Sequence, residues 1–258
     1  MSTPPISLSE PVGPPDAPLL VLGPSLGTST ILWETTAPAL AEQYRLLTWD
    51  LPGHGQAPPA TEPFTVADLA DAVADAVAEP FLYAGVSLGG CVGLELLLRH
   101  PDRVRAAALL CTGAAIGTGD GWQERAAQVR AQSTSTLIIG SAQRWFAPGS
   151  IEKNPDITGR LLRVLQETDD ESYALCCEAL AGFDARDRLG RITAPVLAVW
   201  GAHDGVTPEG SAREIAEGVR NGRAVGIADA AHLAPADDAA ATASVLRDFF
   251  DEVTGARA

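Results

Sequence analysis

Short apolar runs alternate along the chain with longer segments in which apolar residues recur every three or four positions. The short runs have strand length and few polar residues, which is typical of strands buried on both faces of a parallel sheet. The longer segments have the period of helices that turn one apolar face to a core. The predicted strands are residues 19–22, 44–49, 81–84, 104–110, 196–200 and 223–227.

The helical pattern fills most of the gaps between these strands, at residues 31–42, 65–78, 88–100, 211–219 and 239–253. Regular strand–helix alternation predicts an α/β fold with a mostly parallel sheet flanked by helices. In such folds ligands bind beyond the carboxyl ends of the strands. The Pro-rich segment 4–18 is expected to be a loosely structured approach to the sheet.

The alternation stops between residues 113 and 191, where helical patterns at 122–132, 137–145, 156–167 and 172–183 follow one another. We therefore expect a single domain with a core at residues 1–112 and 192–258 and a helical lid at 113–191. A lid over the site would exclude water and shape the pocket. An ordinary helical excursion remains the alternative.

Ser87 lies at the centre of Gly85-Val86-Ser87-Leu88-Gly89, between the predicted strand 81–84 and a helical segment. Small residues on both sides allow a tight strand-to-helix turn that exposes the serine hydroxyl, and the helix N-terminus favours negative charge there. The pattern predicts that Ser87 is a nucleophile.

A serine nucleophile needs a histidine base and an acid that orients it. In enzymes with this strand–turn–helix motif, the acid and then the histidine follow the serine in the chain. Asp204 follows the predicted strand 196–200, and His232 follows the strand 223–227. We predict the triad Ser87, Asp204 and His232, with Asp229 as the rival acid.

The other three histidines fit the role of base less well. His100 is expected to end a helix, and His203 adjoins Asp204 too closely in sequence to face it. His54 follows the strand 44–49 in a loop, where it either lines the site or has a structural role.

Two backbone N–H groups must stabilise the oxyanion of an acyl-transfer intermediate. Leu88, directly after Ser87, supplies one of them. The loop after the strand 19–22 is expected to supply the other from Leu26, whose glycine neighbours allow close backbone approach. A plain Gly-rich turn is the alternative interpretation of this loop.

Charge and composition limit the classes of binding partner and cofactor that we expect for this chain. The formal net charge of −15 argues against nucleic acid and anionic membrane surfaces. No apolar run has membrane-spanning length, and the first residues lack the features of a secretory signal. The four cysteines have no metal spacing, so we expect a reduced, cytoplasmic protein without metal or cofactor. Residues 117–121 lack the third glycine of a dinucleotide fingerprint.

With these motifs, the chain resembles the 3-oxoadipate enol-lactonases of the α/β-hydrolase superfamily along nearly its whole length. The resemblance rests on residues 23–29, 49–55 and 84–90, and on 111–122 and 144–146 in the helical region. It departs from the family in an N-terminus that looks short for the usual opening pair of strands. Some relatives are fused to a carboxymuconolactone decarboxylase, so the chain is expected to be a stand-alone enzyme or one domain of a larger product.

The resemblance implies an α/β-hydrolase fold and a small anionic lactone as substrate, opened to 3-oxoadipate through an acyl-enzyme. It also implies a relation to a carboxymuconolactone decarboxylase of the same pathway. The substrate carboxylate would need a cation in this acidic chain, and an arginine can bind it with two parallel hydrogen bonds. Further candidate substrate contacts accompany that cation, so the expected set is Ser25, Trp122, Arg125 and Arg144. The alternative functions are that of a carboxylesterase or thioesterase and that of a non-catalytic small-molecule receptor.

Overall fold

The computed structural model describes residues 3–255, so the outer ends of the predicted core, residues 1–2 and 256–258, lie outside the described residues. Within that range seven strands form one sheet in the order β1-β3-β2-β4-β5-β6-β7. Strand β1 pairs antiparallel with β3, and every other pairing is parallel. The strands are β1 (Ser7–Leu8), β2 (Leu19–Gly23), β3 (Arg45–Asp50), β4 (Phe81–Val86), β5 (Val104–Leu110), β6 (Val196–Gly201) and β7 (Gly222–Ile227).

The α-helices connect these strands or follow them. They are α1 (Ala37–Leu40), α2 (Val66–Ala76), α3 (Leu88–Arg99), α4 (Gly119–Gln132), α5 (Ile138–Trp145), α6 (Ser150–Lys153), α7 (Pro155–Glu167), α8 (Asp170–Ala181), α9 (Glu209–Gly218), α10 (Ala234–Asp237) and α11 (Ala239–Thr254). Short 3-10 helices span Thr30–Trp33, Thr134–Leu137 and Arg186–Arg191. Helices α4 to α8 follow one another between β5 and β6, in the segment where the sequence predicts consecutive helices.

The central strands are buried because helices cover both faces of the sheet. Leu109 of β5 lies against Gly93 of α3, and its neighbour in the sheet is Ala198. Leu197, one position earlier in β6, lines the same surface cavity as Phe249 of α11. Because successive side chains of a strand point to opposite faces, α3 and α11 lie on opposite faces. The result is the α/β-hydrolase fold that the sequence predicts.

Local sequence explains where the main helices begin. Thr65 precedes α2 and accepts a hydrogen bond from the backbone N–H of Asp68, while the Asp68 carboxylate accepts from the Thr65 N–H. This reciprocal capping box stabilises the first turn. Helix α3 begins directly after Ser87 and ends at Arg99, with His100 as the residue that follows it, as the sequence predicts.

The prediction of a single helix at residues 31–42 is wrong. The chain instead forms the 3-10 helix Thr30–Trp33 and then the single turn of α1. Pro38 has no N–H to donate to residue 34, so a continuous helix would lose a bond there. Thr35 and Thr36 between the two pieces donate their hydroxyls to the Pro235 carbonyl, at 3.0 and 3.2 Å.

The N-terminal part of the sheet is small. The two-residue strand β1 is the antiparallel partner of β3, and Val12 forms one further antiparallel bridge with Leu46. In the described part of the chain, no helix is long and apolar enough to cross a membrane.

Candidate active site

Ser87 connects β4 to α3 in a backbone conformation that L-residues rarely adopt, with φ 55° and ψ −114°. Such strain persists only where the surroundings enforce it. Here the turn is tight, because a Cβ added at Gly85 would lie 2.3 Å from the Gly89 carbonyl oxygen. A Cβ at Gly89 would lie 2.5 Å from the Pro24 carbonyl oxygen. The two glycines around Ser87 are therefore required by the close packing of the turn.

Neighbouring strands hold the Ser87 backbone in place. The Ser87 N–H donates to the Leu110 carbonyl at 2.9 Å, and the Thr112 hydroxyl donates to the Ser87 carbonyl at 2.7 Å. The serine is 6% exposed and faces a cavity beyond the carboxyl ends of the strands.

Asp204 and His232 meet at the same edge of the sheet, because β6 and β7 run parallel to β4. The Nδ1 atom of His232 lies 2.9 Å from the Asp204 Oδ2 atom. The Thr207 hydroxyl donates to the same oxygen at 2.8 Å, and the N–H groups of Val206 and Thr207 donate to Oδ1 at 2.7 and 3.1 Å. Burial raises the pKa of the Asp204 carboxyl, but His232 and these donors outweigh it and leave the pKa below its usual range. Asp204 is thus a buried carboxylate held in its charged form.

The loop that carries His232 is fixed on both sides. Ala231 donates its N–H to the Asp237 carboxylate at 2.7 Å, and Leu233 donates its N–H to the Trp145 carbonyl at 2.9 Å. The Asp237 carboxylate also accepts from the Ala147 N–H at 3.0 Å. These bonds connect the histidine loop to the end of α5.

The turn after β2 leaves one backbone donor unused. The Ser25 N–H donates to the Thr28 hydroxyl at 3.1 Å, and the Thr28 N–H donates to the Ser25 carbonyl at 3.0 Å. The Gly27 N–H donates to Nε2 of His54 at 3.1 Å. Among the described residues, the Leu26 N–H donates to no protein acceptor.

The turn and the start of α3 are joined by a bond from the Gly89 N–H to the Pro24 carbonyl, at 3.0 Å. Leu88 is the first residue of α3, and the first N–H groups of a helix have no acceptor within it. The geometry therefore brings two open amides, those of Leu26 and Leu88, to the side of Ser87.

The cavity has a volume of about 400 Å³, a size usual for small-molecule sites. One wall comes from the core, and we call Ser25, Leu26, Ser87, Gly205, Val206 and His232 the core wall. The opposite wall comes from the segment between β5 and β6, and we call Ile116, Trp122, Arg125, Arg144, Trp145 and Tyr173 the helical wall. All four expected substrate contacts line this cavity, while Asp204 lies behind His232.

Two guanidinium groups lie on the helical wall without a carboxylate partner. Within residues 3–255, neither Arg125 nor Arg144 has a carboxylate oxygen within 4.0 Å, in contrast to arginines such as Arg163, which pairs with Glu167. Burial, and then the like charge of Arg125, lower the pKa of Arg144. Arg125 also lies over the Trp122 ring, 5.2 Å from its centroid. The cavity thus contains unneutralised positive charge.

The other three histidines are outside the lining of this cavity. His54 is fully buried, and its contacts support the turn that contains Leu26. His100 pairs with Asp71 at 2.7 Å at the C-terminal end of α3, and His203 is exposed. Asp229, the rival acid, is also exposed.

Sequence reasoning did not identify Tyr173, Trp145, Ile116 or Val206 as site residues. Trp145 and Val206 stand close in sequence to Arg144 and Asp204, which was an available signal. Tyr173 gave no such signal, because its place on the wall depends on how α8 packs. In the part of the chain that the structure describes, no three His, Cys, Asp or Glu side chains cluster to hold a metal ion.

Comparisons with known proteins show the family of this chain. The family model described as alpha/beta hydrolase fold matches residues 18–239. The chain is similar to 3-oxoadipate enol-lactonase 2 of Acinetobacter baylyi, at 36% identity over 199 residues that cover 76% of this chain and 74% of that protein.

Two further similarities are informative. The chain is 31% identical over 234 residues to the pimeloyl-(acyl-carrier protein) methyl ester esterase of Neisseria meningitidis, covering 88% of this chain and 91% of the esterase. The crystal structure of the enol-lactonase from Burkholderia xenovorans LB400 superposes with a TM-score of 0.91 at 31% identity, covering 95% of this chain and 96% of that one.

Proposed function

The chain belongs to the α/β-hydrolase fold family and is an ester-hydrolysing enzyme, and from that premise we propose that it opens 3-oxoadipate enol-lactone to 3-oxoadipate. This reaction is a step in the breakdown of aromatic compounds through 3-oxoadipate. The observation that carries the proposal is that Arg125 and Arg144 lie near each other in the cavity that contains Ser87 and His232, with no carboxylate partner in the described part of the chain.

In the first half of the proposed reaction, the Ser87 Oγ atom attacks the lactone carbonyl carbon. His232 takes the serine proton through Nε2, and Asp204 holds the ring through Nδ1 and stabilises the imidazolium. The ring oxygen leaves as an enolate, which takes up the proton held by His232 and becomes a ketone, so the carbon–oxygen bond of the ring breaks easily. Ser87 then carries the opened chain as an ester.

In the second half, water attacks this ester. His232 removes a proton from the water, and the Ser87 oxygen leaves and takes up a proton. The products are free enzyme and 3-oxoadipate, which carries one carboxylate more than the lactone. The open amides of Leu26 and Leu88 are the proposed oxyanion donors in both halves. Loss of one such donor typically lowers kcat about 10²–10³-fold.

The substrate carboxylate is the partner that we propose for the helical wall. Arg144 is half-buried and can offer two parallel N–H donors, and Arg125 adds a second cation near it. Trp122 and Trp145 give apolar surface to the lactone ring. In this proposal residues 113–191 serve as a lid that excludes water and recognises the anion.

A direct test is the turnover of 3-oxoadipate enol-lactone beside p-nitrophenyl acetate, with Ser87→Ala as control. We expect fast lactone opening, with kcat/KM well above that for the neutral ester, and loss of both activities in the variant. Full activity in Ser87→Ala would refute the nucleophile. Weak lactone opening with strong ester turnover would refute the substrate but keep the mechanism.

A carboxylesterase or thioesterase for another ester is the second candidate. The similarity to the methyl ester esterase over 88% of the chain and the apolar surface of Ile116, Trp145 and Val206 favour it. Faster turnover of an uncharged methyl ester or thioester than of the lactone would support this alternative.

A further inference from the structure

The turn that presents Leu26 depends on an unusual backbone conformation. Ser25 and Thr28 close the turn through the bond from the Thr28 N–H to the Ser25 carbonyl, and Gly27 has φ +80° at its third position. A positive φ at this position is the signature of a type II turn. In such a turn the peptide between Leu26 and Gly27 is reversed relative to a type I turn, and a contact from outside the turn can hold it in that orientation.

His54 supplies that contact. The Gly27 N–H donates to the His54 Nε2 atom at 3.1 Å, and the His54 Nδ1 atom lies 2.8 Å from the Pro52 carbonyl. A carbonyl only accepts, so Nδ1 carries the proton and Nε2 is the acceptor. Burial of the ring lowers the pKa of His54 to about 4, which keeps the imidazole neutral near pH 7. Both ring nitrogens are thus occupied, and His54 itself is outside the cavity lining.

The same ring also touches the helical wall. His54 stacks on Tyr173 with ring centroids 6.2 Å apart and an interplanar angle of 21°. Tyr173 lines the cavity, and the charges of Arg125 and Arg144 act on its hydroxyl. The only carboxylate whose charge acts on His54 within the described residues is Asp169, which precedes α8 and is itself bonded to the Ser172 N–H.

We propose that His54 is a positioning residue for the oxyanion turn, which orients the Leu26–Gly27 peptide through its unprotonated Nε2 and so holds the Leu26 amide open towards Ser87. This inference rests on the proposed function, because it takes Leu26 as an oxyanion donor. It does not depend on which ester is hydrolysed. His54 acts through Gly27 and takes no proton from substrate.

Two substitutions separate the bonds of His54. In His54→Asn the side-chain amide can still donate to the Pro52 carbonyl, but it is too short to accept from Gly27. In His54→Gln the longer side chain can place its carbonyl oxygen near the former Nε2 position and accept from Gly27. Both variants lose the stacking on Tyr173, so they form a matched pair. His100→Asn is a control for the loss of a histidine outside the cavity.

The measurement is kcat and KM for p-nitrophenyl acetate, with the inhibition constant of phenylboronic acid, whose tetrahedral adduct resembles the oxyanion. We expect His54→Asn to lower kcat about 10- to 100-fold, approaching the loss of one oxyanion donor, with KM within about 3-fold of native. Boronate inhibition should weaken in parallel. His54→Gln should recover most of the native kcat and most of the boronate inhibition. His100→Asn should match the native enzyme in both quantities.

Equal losses of kcat in His54→Asn and His54→Gln, in proportion to the fall in their melting temperatures, would overturn the inference in favour of a structural role. Native kcat in both variants would overturn it as well. If His54→Asn does not fold, the ¹⁵N spectrum of the native enzyme decides: a protonated Nδ1 and bare Nε2 support the inference, and an Nε2–H tautomer contradicts it. The proposed function fails separately, through weak opening of the enol-lactone or through an active Ser87→Ala.

Discussion

The core wall and the helical wall of the cavity differ in how their polar groups are partnered. Behind the core wall, Asp204 accepts four hydrogen bonds. On either side of Leu26, the Ser25 N–H donates to Thr28 and the Gly27 N–H donates to His54. On the helical wall, Arg125 and Arg144 face each other's charge and, among residues 3–255, pair with no carboxylate. Apart from the open amides of Leu26 and Leu88, these polar groups of the core wall are bound within the protein, whereas the helical wall contains charge that a ligand can neutralise.

This difference follows from what each wall must do. Groups that act in the transition state need fixed geometry before the substrate arrives, which bonds to the protein supply. Groups that recognise an anion need free donors, since an internal carboxylate would compete with the ligand. The chain has 33 acidic and 18 basic residues, so partners for two arginines were abundant. Their absence at this cavity is the reason to assign the helical wall to anion recognition.

The largest expected effect tests the core wall. Asp204→Asn should lower kcat about 10⁴-fold for the lactone and for p-nitrophenyl acetate alike, because the amide favours the wrong tautomer of His232. Asp229→Asn makes the same charge change on an exposed residue of the histidine loop and should keep native activity. The reverse result, an inactive Asp229→Asn and an active Asp204→Asn, would reassign the acid.

An intermediate effect tests the helical wall. Arg144→Ala should raise KM for the lactone about 10- to 100-fold, as expected for one or two lost hydrogen bonds to a charged group worth about 1.5–3 kcal/mol. KM for the neutral ester should stay within a factor of about 2. Arg163→Ala is the matched control, because it removes an exposed arginine of α7 that pairs with Glu167. Equal increases for both substrates in Arg144→Ala would remove the distinction between the walls.

The smallest expected effect is on the free energy of unfolding and on how it depends on pH. Because the folded-state pKa of Asp204 lies below its usual value, its stabilisation is present above pH about 4 and is lost as the pH falls through the folded-state pKa. We expect native protein to exceed Asp204→Asn in free energy of unfolding by about 1–3 kcal/mol at pH 7. The difference should shrink below pH about 4 in denaturant titrations. A difference that stays constant from pH 7 to pH 3 would contradict a charged, hydrogen-bonded Asp204.

The sequence predicted the parts of the site that follow strand ends. Ser87, Asp204 and His232 each come after a parallel strand, and parallel strands end at the same edge of the sheet, so their proximity follows from order alone. The contact between His54 and Gly27 was beyond such reasoning, because it joins two loops whose approach depends on the packed core. Likewise the break before Pro38 involves hydrogen bonds from Thr35 and Thr36 to Pro235, about 200 residues away in the chain, which no helical period reveals.

The most direct test of Ser87 as the nucleophile is the mass of the enzyme during turnover. The native protein would be mixed with 3-oxoadipate enol-lactone, quenched in acid within milliseconds and digested for peptide mass spectrometry. An acyl-enzyme on Ser87 predicts a mass increase equal to one lactone on the peptide that contains Ser87, and none in Ser87→Ala. Turnover with no adduct on that peptide, or an adduct on another residue such as Cys111, would contradict it.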